Sequence, residues 1–351
     1  MLPEQPADTA RRGDKSTRVD HPEEFKISVM YTVRRATPAD LDVVIELIAR
    51  LQADPAHLIA FHGESVEEVA EELAGLRPDW VSGAVVATDR TGRVRGVLSI
   101  EVDDELHRAY LYGPYVDVPA NHPAAAQLWQ ATADALFDRA DRLPRMAAVT
   151  MFDMFGHRRN RLLADFAARH DVAVDKSMRL FALTGADLRA LLVRPAGRSP
   201  AEDRIGLMSA DAEVRAAVAG LHDRCFPTAP TPGHRLVADG SVHTVVVLRD
   251  GASGVLGYAA GVTQADEYYV DMVGVDPAVR SLGAGRQLVR RLLVELATHT
   301  GARNRATALI RLGNDASERM FTALGFTLHT ELVSYRKTDH HPAADLSVTQ
   351  P

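Results

Sequence analysis

The stretch Tyr268 to Gln287 constrains the fold more than any other part of this 351-residue chain. It reads Tyr-Tyr-Val-Asp-Met-Val-Gly-Val-Asp-Pro-Ala-Val-Arg-Ser-Leu-Gly-Ala-Gly-Arg-Gln: a strand, a sharp turn and a helix start. Val270, Met272 and Val273 suit a mostly buried strand, which Asp276-Pro277 ends. Beyond Gly285 the apolar residues Leu288, Leu292, Leu293 and Leu296 recur at helical spacing. Gly283 and Gly285, one residue apart, let successive backbone N–H groups converge on an anion at a helix N-terminus. A pyrophosphate suits that arrangement, with Arg280 and Arg286 as nearby cations. An ordinary strand-to-helix turn would carry the same glycines. The stretch has no Gly-x-Gly-x-x-Gly, which disfavours a Rossmann site, and no Gly-Lys-Ser/Thr follows, which excludes a Walker loop.

The residues downstream decide between these readings. Ala306 to Arg311 reads as a second strand, followed by Asn314-Asp-Ala-Ser317-Glu-Arg-Met-Phe321-Thr-Ala-Leu-Gly325-Phe326. Here the chain resembles the GNAT superfamily of acyl-CoA-dependent N-acyltransferases. The superfamily's acetyl-CoA signature, Arg/Gln-x-x-Gly-x-Gly/Ala, is matched at Arg280, Gly283 and Gly285. Its later Asn-x-x-Ala-x-x-x-Tyr and Leu-Gly-Phe are matched at Asn314 and at Leu324-Gly325-Phe326, with Ser317 and Phe321 as departures. The resemblance covers residues 204–337.

Composition excludes several other classes. Apolar residues make up 46% and charged residues 25%, the balance of a soluble globular protein. The formal charge of −7 argues against nucleic acid as a partner. One cysteine, Cys225, cannot form an intramolecular disulfide and fits a reducing cytoplasm. No apolar run approaches the roughly 18 residues of a membrane span, and the N-terminus lacks an apolar signal core. A cytoplasmic protein without membrane contact is expected, as a monomer or homodimer.

Residues 1–29 are polar and aperiodic and are expected to be a disordered tail, with Met30 as an alternative start. Val33 to Ala36 reads as a strand, and Thr37-Pro38 caps a helix carrying Leu41, Val44, Ile45, Ile48 and Leu51. Ser65 and Glu68 stand at capping-box spacing ahead of a second helix. A hairpin across Asp89-Arg-Thr-Gly92, a strand to Val118, helices near 124–140 and 158–169, and strands near Ala147–Thr150 and Arg179–Leu183 follow.

That order recurs from Arg204, so the chain is read as an internal duplication. Residues 30–185 and 204–338 form the copies, with a Pro/Gly/Ser-containing link at 186–203 and a solvated tail at 339–351 that includes His340-His341. Aligning Val118 with Val275 places Pro123, Ala126 and Leu128 opposite Arg280, Gly283 and Gly285. The first copy would therefore lack the phosphate loop. The resemblance implies an α/β (α+β) fold of two consecutive GNAT-like domains, each a mixed, mostly antiparallel twisted sheet flanked by helices, with the first degenerate.

It also implies the chemistry. Acetyl-CoA would be the co-substrate, without a metal, held by Val273, Gly274 and Val275 of the strand, by Arg280, Ser281, Leu282, Gly283, Ala284, Gly285 and Arg286 of the loop, and by Asn314 and Ser317. Its arm would lie where the strand before the loop splays from the next. On the Val273/Val275 face, period two adds Asp271, Tyr269 and Glu267. Asp271 is the first candidate for general base and Glu267 the second, while Tyr269 lines the acceptor pocket. The family's acidic tyrosine falls at Phe321, so Ser317, Tyr335 or water replaces it, or the thiolate leaves unaided. His222, Cys225 and His234 are too loosely spaced for a metal. N-acetylation of a small-molecule amine is the expected activity. A protein acceptor, or a sensor that only binds acyl-CoA, stands as the alternative.

Overall fold

The computed structural model describes residues 31–77, 79–119, 121–193, 204–251, 254–280 and 283–341. The expected tail at 1–29, residues 194–203 of the expected link, residues 342–351, and two expected cofactor contacts, Ser281 and Leu282, lie outside the described residues.

The first half runs β1 (Tyr31–Arg35), α1 (Leu41–Gln52), α2 (Val66–Gly75), β2 (Ala84–Asp89), β3 (Val94–Asp103), β4 (Arg108–Val116), α3 (Ala125–Asp141), β5 (Met151–His157), α4 (Arg161–Arg169) and β6 (Ala173–Thr184). Helix α5 (Gly185–Val193) leads to the second half: β7 (Ile205–Leu207), α6 (Ala212–Cys225), α7 (Gly233–Leu236), β8 (Thr244–Asp250), β9 (Gly254–Thr263), β10 (Glu267–Val275), α8 (Ala284–Thr300), β11 (Arg305–Arg311), α9 (Asp315–Thr322) and β12 (Thr327–Lys337). Local chemistry sets these starts. Ser65 Oγ accepts from Glu68 N–H at 3.1 Å while the Glu68 carboxylate accepts from Ser65 N–H, which closes the capping box of α2.

All the strands join one twelve-stranded sheet, ordered β1-β2-β3-β4-β5-β12-β6-β11-β10-β9-β8-β7. Among the described residues only β4–β5 and β10–β11 pair in parallel. The order reads the same inward from either edge, and at the centre the halves exchange strands. β6 lies between β12 and β11, and β12 lies between β5 and β6. The two stretches that repeat in sequence therefore share their sheet.

One hydrophobic core fills the first half and includes Trp80 and Trp129, as their position in the sequence suggests. The second half has a core on each face of the sheet. Leu288, Val289, Leu292, Leu293 and Leu296 of α8 pack on Val246, Ala259, Tyr268 and Val270. On the opposite face, Val218 and Leu221 of α6 pack on Val245, Val247, Tyr258, Ala260 and Met272.

Four expectations need correction. The strand expected at Ala147–Thr150 begins at Met151, because Pro144–Met146 form a 3-10 turn and pairing with β4 starts at Arg108 and Met151. The expected link starts as helix α5, whose Leu188 and Leu191 are buried in the second half's core. His340 belongs to no solvated tail: it is buried, its Nε2 lies 2.8 Å from Asp141 Oδ1, and its ring meets the Phe152 ring edge-on. Finally, the copies align two residues earlier. Val116 pairs with Gly96 as Val275 pairs with Gly257, and Asp117 N–H bonds to Arg95 O as Asp276 N–H does to Leu256 O.

Candidate active site

Parallel pairing of β10 with β11 runs from Glu267 opposite Arg305 to Val270 opposite Ala308 and stops. Beyond that point β10 continues to Val275 on β9, and β11 continues to Arg311 on β6. The strands thus open a wedge in the sheet. Asp276 N–H donates toward β9, so by alternation Val273 and Val275 turn their backbone groups into the wedge. Arg280 Nε at its mouth bonds to Val275 O at 3.0 Å.

A β-bulge falls at the apex, since the register skips Asp271 between Val270 and Met272. This overturns the expectation that Glu267, Tyr269 and Asp271 share a face with Val273 and Val275. The extra residue resets the alternation. Tyr268, Val270, Val273 and Val275 pack on the α8 side, whereas Met272 packs on the α6 side. Glu267, Tyr269 and Asp271 lie on that α6 side, where Asp271 Oδ2 is 2.9 Å from His243 Nε2.

The two carboxylates differ in what surrounds them. Asp271 is partly exposed and its described partner is His243, itself nearly buried just before β8. Glu267 is buried, accepts from Thr307 Oγ1 at 2.7 Å, and pairs with Arg305 Nε at 2.8 Å. Arg305 also faces Asp266 at 3.4 Å and, across the halves, Glu68 of α2 at 3.6 Å. Burial first, then the neighbouring Glu68, push the Asp266 carboxyl up to about 6. With its folded pKa above the unfolded value of 3.8, Asp266 penalises the folded state increasingly as pH rises from about 4 to about 6 and in full above that. Asp266→Asn is therefore expected to raise Tm at pH 7.5 and to leave it nearly unchanged at pH 4, by differential scanning calorimetry at both.

Tyr269 is a half-buried neighbour of both acids, and burial, with Asp271 and Glu267, holds its phenol well above the ordinary value. His222 is fully buried, with Nδ1 2.7 Å from Tyr258 Oη and Nε2 2.9 Å from Thr231 O. Both ring nitrogens are thus engaged, and burial lowers the His222 pKa. No three His, Cys, Asp or Glu side chains among the described residues group to hold a metal ion.

At the loop, Gly283 is the N-cap of α8 at φ +82°, a conformation that disfavours any residue with a Cβ. Ala284 is buried behind it, and Arg280 and Arg286 are exposed. Gly285 has a packing reason as well, because a Cβ there would meet Met320 Sδ at 2.5 Å. Asn314 caps α9, its Oδ1 accepting from Ser317 N–H at 3.2 Å, beside the end of β11. Phe321 is buried edge-on against Phe326. Tyr335 cannot replace it: strand exchange carries Tyr335 opposite Met154 and into the first half's core. His243 was not legible in the sequence, because its partner Asp271 lies two strands away across β9.

The first half has the same layout with the openings closed. Its wedge starts beyond Tyr110 and Asp153, but the segment Leu58–Ala60 occupies it. Ala60 N–H bonds to Phe155 O at 2.7 Å and His157 N–H to Leu58 O at 3.0 Å, with Ile59 fully buried. Gln52 clamps that segment through Ile59 N–H and C=O. In the corrected register, Tyr112 stands where Asp271 does, Pro114, which has no N–H, where Val273 does, and Ala124 where Gly283 does. Helix α3 starts after Ala124 without the positive φ.

Comparison with known proteins agrees with this geometry. The sequence model described as Acetyltransferase (GNAT) family matches residues 216–326. A GCN5-related N-acetyltransferase from Sphaerobacter thermophilus superposes with a TM-score of 0.61 at 18% identity, covering 91% of this chain and 98% of its own. A tandem GNAT protein from the clavulanic acid biosynthesis pathway gives 0.60 at 16%, covering 90% and 99%. A glucosamine N-acetyltransferase region of a fungal multi-domain β-N-acetylglucosaminidase gives 0.57 at 12%, covering 88% of this chain and 38% of that one. No curated protein matches in sequence. The chain has the fold of a tandem GNAT protein, and the GNAT-family match lies in its second half. No helix among the described residues is long and apolar enough to cross a membrane.

Proposed function

We propose that the second half transfers an acetyl group from acetyl-CoA directly to a primary amine of a small molecule. The observation that supports this most is the wedge between β10 and β11, with the Gly283-capped helix α8 at its mouth. Backbone groups of Val273 and Val275 would hold the pantetheine arm in the wedge, and a strand N–H would polarise the thioester carbonyl. The N-terminus of α8, with Arg280 and Arg286, would take the phosphates. Asp271 at the apex receives the proton of the attacking amine. The C–N bond forms, the C–S bond breaks, and the electron pair leaves on sulfur.

The enclosure of the α6 side favours a small acceptor over a protein. Arg235 of α7 pairs with Asp103 at 2.6 Å and with Glu105, both in the first half, and Arg305 reaches Glu68 of α2. Two proteins that share the fold bear names from small-molecule chemistry, the glucosamine N-acetyltransferase region and the clavulanic acid pathway protein. The lone Cys225 suits a cytoplasmic setting. Phe321 favours a second reading, a protein that only binds acyl-CoA, since no tyrosine stands ready to protonate the thiolate.

Calorimetric titration of acetyl-CoA into the full chain tests the reading, followed by thiol release in the presence of amines. One site is expected, with Kd near micromolar, about −8 kcal/mol. Gly283→Val, a β-branched residue at φ +82°, is expected to weaken binding at least about tenfold. Two sites would restore a cofactor role to the first half. Uptake without thiol release on any amine would leave the binding-only reading.

A further inference from the structure

We infer that His243 is a positioning residue for acyl transfer, holding the Asp271 carboxylate aimed at the acceptor amine. The inference rests on the function proposed above and adds a residue that no motif in the chain marks.

Geometry carries the argument. Asp271 is the extra residue of the bulge, so its side chain is not fixed by the alternation of β10 and needs another restraint. His243 supplies one: Nε2 lies 2.9 Å from Oδ2, and its side chain is only 9% exposed. An ionised carboxylate only accepts, so the proton of a neutral ring belongs on Nε2. Ser241 Oγ lies 3.5 Å from Nδ1 and 3.3 Å from His243 N, which steadies the ring from its other side. Asp271 Oδ1 has no described hydrogen-bond partner and remains for the amine, whereas Oδ2 is held by the histidine. The strand between the two residues carries Ala259-Ala260-Gly261, small enough for the contact to span it. Ionisable groups around the pair are His222 and Asp223 of α6, Tyr258 of β9 and Tyr269 of β10. His222 is occupied by Tyr258 and Thr231 and cannot substitute for His243.

The N–H donor fixes one carboxylate oxygen, so removing it frees the Asp271 side chain to turn away from the amine. In the full chain, His243→Phe is expected to lower kcat about tenfold to a hundredfold, with acetyl-CoA Kd unchanged. His243→Gln, which keeps an N–H donor, is expected to recover most of the rate. The assay is thiol release from acetyl-CoA with an amino sugar, a diamine, an amino acid and a lysine peptide. In parallel, the imidazole nitrogens are followed by 15N NMR, where Asp271→Ala is expected to shift the His243 Nε2 resonance by loss of its hydrogen bond. An unmoved resonance overturns the pairing whatever the activity. An active wild type whose kcat His243→Phe leaves in place, rates being corrected for folded fraction, reduces His243 to a packing residue. A wild type that acetylates none of the four amines overturns the transfer reading, and the role of His243 falls with it.

Discussion

A fragment of residues 204–341, the second half as chain order would cut it, is expected to fail to fold. β11 and β12 do not touch as partners, because β6 from the first half lies between them, bonded to both. The cut also removes Phe181, Leu183, Leu188 and Leu191 from the core beneath α8. Each such side chain is worth about 1.5–3 kcal/mol of burial, so the loss is on the order of the whole stability of a domain, about 5–15 kcal/mol. Circular dichroism and urea titration of 204–341 should show no cooperative transition. A fragment of residues 171–341, which restores β6 and α5, should regain one. Cooperative unfolding of the shorter fragment would mean that the central strands can re-pair within one half. The exchange also makes a single transition the expectation for the full chain.

How far the sequence reached follows from the range of each determinant. The capping box at Ser65, the glycine at φ +82° and the apolar stripe of α8 act within a few residues, and each was readable as a pattern. Duplication was readable for the same reason, since both copies repeat local patterns. Strand exchange was not. β6 and β12 look alike in sequence, and nothing local says whether each pairs within its own copy or across it. Where Gly113-Pro114 and Asp271 interrupt β4 and β10, period two fails in the middle of a strand, and only pairing with β3 and β9 reveals it. That single residue moved three candidate side chains to the opposite face from Val273. It also hid the Asp271–His243 contact, which joins elements 28 positions apart. The first half's missing loop glycine was legible. A second departure, Leu58–Ala60 lying in the wedge, arises in a loop whose sequence carries no such signal.

Asp271→Asn is expected to cut turnover by about a hundredfold to ten-thousandfold, the range for a general base, while acetyl-CoA binds as before. The substitution is nearly isosteric, and asparagine Oδ1 can still accept from His243, so the bulge should survive. Cofactor affinity should survive too, because Val273 and Val275 reach the wedge through backbone groups and their side chains lie on the α8 face. Glu267→Gln makes the control. That carboxylate is already committed to Thr307 Oγ1 and Arg305 and is buried at the junction of the halves. Its neutralisation should lower Tm, through an Arg305 left short of charge, more than it lowers the rate per folded molecule. Measured together, kcat and Tm separate the two roles. Asp271 as base predicts loss of kcat at nearly constant Tm, and Glu267 as a structural ion predicts the reverse. If Glu267→Gln instead abolishes turnover in folded protein and Asp271→Asn does not, the proton leaves to the Glu267 carboxylate, and the bulge serves only to open the wedge.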